Sequence, residues 1–391
     1  MHVTHLSLAD FRNYERAEVE LTPGAVLFVG RNGQGKTNLV EAIGYAGSAS
    51  SHRVSNDHAL IRFGAEQAVI RMRVQHDERA VLIELELNRG APNRAQVNRQ
   101  PVKLRDLPRT FASVLFAPED LALVRGDPGG RRTFLDTLVV QCSPRYAGII
   151  SDYDRVVRQR NSLLKSARAS RLAADSLTTL DVWDDRLVDL GTQLIVARAA
   201  LVADLSPHVD AAYRAVAGDD HHTRLSVRLS IDSDTDIDAA PLDQGVAVPG
   251  DDDRGSATAV AERFRVKLAS LRRNELDRAV TLVGPHRDDL VLELNGLPAR
   301  GYASHGESWS YALALKLASA AVLRTDSVAG DPVLVLDDVF AELDEGRRER
   351  LADAVADYEQ VLITAAVGAD VPERLAATRI GIAAGAIVEP S

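Results

Sequence analysis

Eight consecutive residues, Gly30-Arg31-Asn32-Gly33-Gln34-Gly35-Lys36-Thr37, follow the pattern G-x-x-x-x-G-K-[ST]. Each residue type has a physical task around phosphate. Glycines let the backbone curl tightly and turn its amide hydrogens inward. A helix starting at the end of the loop adds the positive end of its dipole. Lys36 supplies a charge for the β- and γ-phosphates, and Thr37 a hydroxyl for Mg²⁺. A second group stands 300 positions beyond Thr37, where the apolar run Val333-Leu-Val-Leu336 ends in Asp337-Asp338. A carboxylate at the carboxyl end of a buried strand can hold Mg²⁺ beside such a loop, here Asp337. A second carboxylate, Asp338, can orient or deprotonate an attacking water. Between the two lies Ala303-Ser304-His305-Gly306-Glu307, opening a helical stretch from Ser308 to Leu323. Serine and glycine at a helix N-terminus form an anion site. With one phosphate site already present, Ser304 and Gly306 suit a γ-phosphate held by another protomer; an ordinary N-cap at Ser304 is the plain alternative.

These groups need a scaffold, and the hydrophobic patterning supplies one. Val3 to Leu8 alternates as a strand, and Ala17 to Leu21 reads as a second. Ala25–Val29 is a continuous apolar run, as in a strand buried on both faces, with a helix expected from Thr37 towards Ala46. Val69–Gln75 and Ala80–Leu87 read as a hairpin broken at His76-Asp77-Glu78, and Val114-Leu115-Phe116 as a further strand. From Gly130 to Val216 the texture becomes helical. Ile149, Ile150, Tyr153, Val156, Val157 and Leu164 form one stripe, and Leu187, Leu190, Leu194, Ile195 and Leu201 another. Residues 230 to 258 carry eight aspartates against one arginine and read as a solvated loop. From Thr281 onward short apolar strands again alternate with helices, as in an α/β layer. The wide gap between Lys36 and Asp337 therefore predicts an α/β ATPase head, residues 1–118 and 276–391, split by a mainly helical arm at 119–275.

Composition narrows the function classes. At 391 residues with 46% hydrophobic and 26% charged, the chain has ordinary globular balance and room for two or three domains. No apolar run approaches the ~18 residues of a membrane span. The start of the chain carries His2 and Asp10 and no basic-then-apolar leader, and the lone Cys142 forms no internal disulfide; both fit a cytoplasmic protein. A net charge of -10 argues against nucleic-acid binding by bulk charge and leaves room for a local basic patch.

Taken in order, the motifs resemble ABC-type ATPase heads of the SMC and Rad50 class, and most closely the RecF family of bacterial DNA repair proteins. The resemblance is carried by Asp10-Phe11-Arg12-Asn13-Tyr14, Gly30–Thr37, Pro118-Glu119-Asp120-Leu121, Gly126-Asp127-Pro128 and Arg131-Arg132-Thr133-Phe134-Leu135-Asp136. It continues through Gly284-Pro285-His286-Arg287-Asp288-Asp289, Ala303–Glu307 and Leu336–Asp344. It implies two heads closing on two ATP molecules with Mg²⁺, Ser304 of one protomer meeting the γ-phosphate held by Lys36 of the other. It places Arg12 and Asn13 near the nucleotide and Asp344 in the D-loop. It implies DNA binding at single-strand gaps and stalled forks, loading of recombinase with RecO and RecR, support of SOS induction, and slow, DNA-stimulated ATP hydrolysis that releases DNA. The chain departs from the broader ABC pattern at three places. Glu307 stands where many signatures carry Gln, Asp338 where many carry Glu, and Thr364-Ala365 where a switch histidine is usual; Glu119 takes the Q-loop position.

Weaker candidates concern DNA. Arg131 and Arg132 can meet phosphate, although Arg132 and Asp136 are also spaced i,i+4 for a surface ion pair. Arg155, Arg158, Arg160, Lys165, Arg168 and Arg171 form a basic helical run that reads either as a DNA-facing arm or as a solvated face. His286 with Asp288 and Asp289 reads as a turn after Gly284-Pro285 rather than a metal site. The competing class is the ATP-binding subunit of a transporter, which places its signature closer to the phosphate loop than Ser304 stands here; another SMC/Rad50-like structural ATPase is the second alternative.

Overall fold

The computed structural model describes residues 1–54, 56–170, 178–218, 221–233, 256–326, 330–376 and 378–389. Along the chain run β1 (His2–Phe11), β2 (Tyr14–Glu20), β3 (Gly24–Val29), α1 (Lys36–Ser48), β4 (Gln67–His76), β5 (Arg79–Asn88), β6 (Arg94–Val97), β7 (Gln100–Val102) and β8 (Ser113–Phe116). Helices α2 (Leu121–Arg125), α3 (Pro128–Cys142), α4 (Tyr146–Ala169) and α5 (Thr178–Ala217) follow, then β9 (Thr223–Arg228) and α6 (Ala257–Arg278). The last third holds β10 (Asp289–Leu294), β11 (Leu297–Pro298), α7 (Ala299–Tyr302), α8 (His305–Asp326), β12 (Val333–Asp337), α9 (Glu345–Val355), β13 (Gln360–Ala365), β14 (Thr378–Ala383) and β15 (Ala386–Val388). These elements form two compact units: Met1–Leu121 with His208–His221 and His305–Ser391, and Ala122–Pro207 with His222–Ser304.

The first unit contains two six-stranded sheets. One is antiparallel throughout, ordered β2-β1-β4-β5-β6-β7. Its strands alternate buried and solvent-facing residues, as one-sided antiparallel sheets do. The other, ordered β15-β14-β3-β13-β12-β8, is parallel except for the β14–β15 hairpin. Its central strands are buried along their length, which is why Val333–Leu336 and Val361–Ile363 carry no polar residue. Val26 and Phe28 share one core with Leu39, Val40 and Ile43 of α1 and with Val3, Leu6 and Leu8 of β1. Parallel pairing brings the carboxyl ends of β3, β13 and β12 to one edge: Val29 lies beside Ala365, and Asp337 beside Thr364. That edge is where the loop after β3 and the acids after β12 meet.

The second unit buries Tyr153 and Val156 of α4, Leu187, Leu190 and Leu194 of α5, and Phe264 and Leu268 of α6. Both expected helical stripes therefore face a core. The unit is not purely helical, since β9 pairs antiparallel with β10 from Thr223↔Leu294 to Arg228↔Asp289, and β11 follows β10. This pairing carries residues 276–304 into the unit with the helices, where the sequence placed them with the head. Conversely, residues 208–221 group with the first unit, the division falling at Pro207 inside α5. Of the expected acidic loop at 230–258, residues 234–255 lie outside the described residues. On either side of them Ile231 is buried, Asp232 pairs with Arg263 at 2.9 Å, and the Ser256 hydroxyl caps α6.

Two of the arginines expected to meet DNA are corrected here. Arg131 is buried, its guanidinium paired with both Asp289 oxygens at 2.7 and 2.9 Å and donating to the carbonyls of Leu123 and Gly126. Arg160 is fully buried between Asp184, Glu275 and Thr281, at 2.7, 2.5 and 3.0 Å. Neither can reach a phosphate, because each is the counter-charge of a buried carboxylate. Arg132 is half-buried and donates to the Asp288 carbonyl at 2.8 Å, while Asp136 accepts two hydrogen bonds from Arg198 at 2.8 Å. Arg158 is exposed, and Arg171 lies outside the described residues. His286 is half-buried: its Nε2–H donates to the Thr281 carbonyl and its Nδ1 accepts from the Tyr153 hydroxyl at 2.7 Å. Burial holds its pKa down to about 3.

Candidate functional site

The phosphate loop is shaped before any ligand is considered. Gly35 has φ +119, and a Cβ there would meet the Asn13 amide at 2.8 Å and the Tyr14 hydroxyl at 2.9 Å. Only glycine fits both the conformation and the space. The β1–β2 hairpin braces the loop from outside. Asn13 Nδ2 donates to the Gln34 carbonyl at 3.0 Å, and the Tyr14 hydroxyl donates to the Gly35 carbonyl at 3.0 Å. Asn13 Oδ1 accepts from Asn38 of α1 at 2.8 Å. The β14–β15 turn completes the brace, with the Gly385 amide on the Gln34 carbonyl and the Ala384 amide on Gln34 Oε1. Lys36 is almost fully buried, its ammonium donating to the Gly30 carbonyl at 2.8 Å and lying 3.4 Å from the Arg31 carbonyl and Asn32 Oδ1. Arg31, Asn32 and Gly33 are the exposed rim of the loop.

Arg12 behaves differently from Asn13. Its guanidinium grips the wholly buried Glu41 of α1 with two bonds of 2.8 and 2.7 Å, and donates to the Ala59 carbonyl. Burial alone would raise the Glu41 carboxyl; the hydrogen bonds of Arg12 and Ser51 outweigh it and hold the group below the usual carboxylate range. Arg12 thus fixes α1 from behind the loop. Glu41 was not singled out from the sequence, and Tyr14 only as the last residue of the Asp10–Tyr14 motif, with no role given to it. Their signal is three-dimensional, an acid and a phenol on buried faces of an otherwise apolar pattern.

The acids lie where the strand register requires. Asp337 Oδ1 accepts two hydroxyl hydrogens, from Thr37 at 3.0 Å and from Thr364 at 2.6 Å. Burial pushes the Asp337 carboxyl up to about 6, against the downward pull of those two bonds; the charges of Asp338 and Glu119 push the same way as burial. Asp338 follows in the left-handed region at φ 52, its amide held by the Thr364 hydroxyl at 2.9 Å. Its Oδ1 is buried and has no hydrogen-bond partner among the described residues. Thr37, Asp337 and this orphaned oxygen are a hard-oxygen set of the kind that suits Mg²⁺. Glu119 sits on an exposed turn, and its neighbour Asp120 pairs with Lys316 at 2.9 Å.

Ser304 is exposed at the end of the second unit, immediately before α8. Gly306, in the first turn of α8, lies against the Arg347 guanidinium, which a Cβ would meet at 2.8 Å. Asp344 caps α9, accepting the Arg347 amide at 2.9 Å and its Nη1 at 3.0 Å. The Arg347 guanidinium therefore bonds Asp344 and lies beside Gly306 within the first unit. The amide bond from Arg347 holds the exposed Asp344 carboxyl below its ordinary range.

A parallel sheet ending in a phosphate loop on one strand and a hydroxyl-bound aspartate on another defines a P-loop ATPase head of the SMC type. The family model described as RecF/RecN/SMC N terminal domain matches residues 2–380. The chain belongs to the RecF family. It is 62% identical to the DNA replication and repair protein RecF of Leifsonia xyli subsp. xyli, over the whole of both chains. Among solved structures it is similar to the recombination mediator protein RecF with ATP in the RecFOR pathway, at 25% identity and a TM-score of 0.86, covering 100% of this chain and 98% of that one. An SMC head bound to the C-winged helix domain of ScpA shares the fold at 15% identity and a TM-score of 0.53, covering 99% and 96%. Among the described residues no helix is long and apolar enough to cross a membrane.

Proposed function

We propose that the chain is an ATP-dependent DNA-binding protein of recombinational repair, in which ATP joins two heads on DNA and slow hydrolysis releases them. The observation that carries this reading is the convergence of Lys36, Thr37, Asp337 and Asp338 on one sheet edge from positions 300 residues apart. The amides of Gly33–Thr37 and the α1 N-terminus bind and orient the triphosphate, and Lys36 shifts its ammonium from loop carbonyls to phosphate. Thr37 and Asp337 would hold Mg²⁺, which when bound neutralises phosphate charge and polarises the bond to be cleaved. Asp338, whose free oxygen is buried beside them, accepts a proton from the attacking water. Its side chain is one methylene shorter than the glutamate more usual there, and the reach to that water is correspondingly poorer, which supports a slow switch rather than rapid turnover.

Ser304 and Gly306 of one protomer face the γ-phosphate on the other, so that the site is complete only in the dimer. The exposure of Ser304 and the Asp344–Arg347 bond beside Gly306 support this role. The RecF relatives act in DNA replication and repair, and the similar solved RecF in the RecFOR pathway; we extend to this chain junctions of single- and double-stranded DNA as substrate and RecO and RecR as partners. Recombinase loading and SOS support follow from the same assignment. Equilibrium binding of gapped duplex, with and without ATP and Mg²⁺, tests it. ATP is expected to tighten binding at least tenfold, with a steep salt dependence. DNA affinity indifferent to ATP would overturn the reading.

A further inference from the structure

We infer that Thr364 is a positioning residue that aims both acids of the site, doing by one hydroxyl what no other described side chain does there. The inference rests on the phosphate-loop reading above. Thr364 is fully buried on β13, directly beside Asp337 in the parallel register. A carboxylate can only accept, so the Thr364 hydroxyl must donate its single hydrogen to Asp337 Oδ1, at 2.6 Å. Its oxygen is then an acceptor, and takes the Asp338 amide at 2.9 Å. The hydrogen bonds form one directed chain, from the Asp338 amide through Thr364 to Asp337. Thr37 reaches the same Oδ1, leaving Asp337 Oδ2 as the oxygen with no hydrogen bond among the described residues. One rotamer of Asp337 is thereby selected. The same hydroxyl pins the amide at which the backbone leaves the sheet in the left-handed conformation, which sets the direction of the Asp338 side chain.

The arrangement explains why the residue is threonine. Valine has the same shape and strand preference but cannot donate, and alanine leaves a void as well. Serine keeps the donor and loses only a methyl group. Metal loading and triphosphate binding separate in the test, because Lys36 and the loop amides do not depend on Thr364. A fluorescent N-methylanthraniloyl ATP is titrated into wild type, Thr364→Val and Thr364→Ser, first in excess chelator and then across a Mg²⁺ series. Wild type is expected to gain affinity with Mg²⁺. Thr364→Val is expected to match wild type within about twofold in chelator, and to need about tenfold more Mg²⁺ for the same gain, the size of a lost hydrogen bond to a charged group. Thr364→Ser is expected to recover most of that shift. Thr364→Ala reads the same quantity should the valine variant not fold. An unchanged Mg²⁺ midpoint in Thr364→Val, an equal loss with and without metal, or failure of serine to rescue would each overturn the inference. A wild type that gains nothing from Mg²⁺ would instead overturn the phosphate-loop reading on which it rests.

Discussion

At the scale of single residues, the site divides into groups that touch phosphate and groups that hold them in place. Lys36 is of the first kind: its ammonium sits inside the loop on three oxygens, ready to exchange them for phosphate. Lys36→Ala is expected to weaken ATP binding by about 10- to 100-fold, the range for a hydrogen bond to a charged group. Titration calorimetry checks this, and near-normal affinity would remove the loop from the mechanism. The proposed mechanism assigns Asp338 to the chemistry rather than to binding. Asp338→Asn is expected to keep ATP affinity within a few-fold and to lower kcat by about 100-fold or more, as loss of a proton acceptor does. Single-turnover hydrolysis separates the two effects. Equal losses in binding and turnover would place Asp338 with the binding groups instead.

At the scale of elements, charge is used for assembly as much as for recognition. The arm-unit helices α4, α5 and α6 meet around Arg160, whose three partners come from positions well apart in the chain. Arg160→Ala strands the buried Glu275 carboxylate, at an expected cost of about 3–5 kcal/mol. Arg158→Glu, two residues away on the exposed face of α4, is expected to leave stability within about 0.5 kcal/mol and to weaken DNA binding. Thermal melts alongside DNA titrations distinguish the two; a melt lowered equally by both would contradict the burial pattern. Asp288 supplies a pH signature in the same unit. It is fully buried, with Oδ1 on the Ser230 amide and hydroxyl and Oδ2 lacking a hydrogen-bond partner among the described residues, and burial pushes it from 3.8 up to about 6. Its folded pKa lies above its unfolded value, so the stability it contributes is full below about 4 and lost as pH rises through about 6. The span corresponds to about 3 kcal/mol. The difference in unfolding free energy between wild type and Asp288→Asn is expected to change over that window and stay flat above it. A flat difference from pH 4 to 7 would mean that the group titrates normally.

The same scale shows what local sequence can and cannot carry. The phosphate loop is legible because its eight residues are contiguous and each type is dictated by phosphate. Asp337 is legible because a buried parallel strand has no other reason to end in two acids. Thr364 attracted notice only as the place where a switch histidine is absent. Its task depends on lying beside Asp337 in the register of β12 and β13, which no window of sequence contains. Arg131 and Arg160 misled for the complementary reason. An arginine on a helix looks the same whether its counter-charge is phosphate or a buried acid 158 or 115 positions away. The strand β9 went unread because it is short and follows a 40-residue helix, and with it the membership of residues 276–304.

At the scale of the whole molecule, the proposed function distributes the site between protomers and makes assembly the switch. Within one chain, the Arg347 guanidinium bonds Asp344 and lies beside Gly306, while Ser304 stands exposed at the start of α8. In the proposed mechanism a nucleotide held by Lys36 finds its remaining partners on a second copy, and ATP joins the heads by being shared. Ser304→Arg tests this without touching the phosphate loop. The bulky cation at an exposed position is expected to leave folding and the chain's own ATP affinity unchanged, and to block closure by steric conflict with the partner's loop. Sedimentation velocity with a hydrolysis-deficient background, Asp338→Asn, keeps ATP intact during the run. In that background ATP is expected to shift the sedimentation coefficient from monomer to dimer, and the added Ser304→Arg change to return it to monomer at every ATP concentration reached. DNA retention on gapped duplex is expected to fall in parallel if, as proposed, the DNA surface forms on closure. A Ser304→Arg protein that still dimerises with ATP would separate the signature from the interface, and ATP would then act within each head rather than between them.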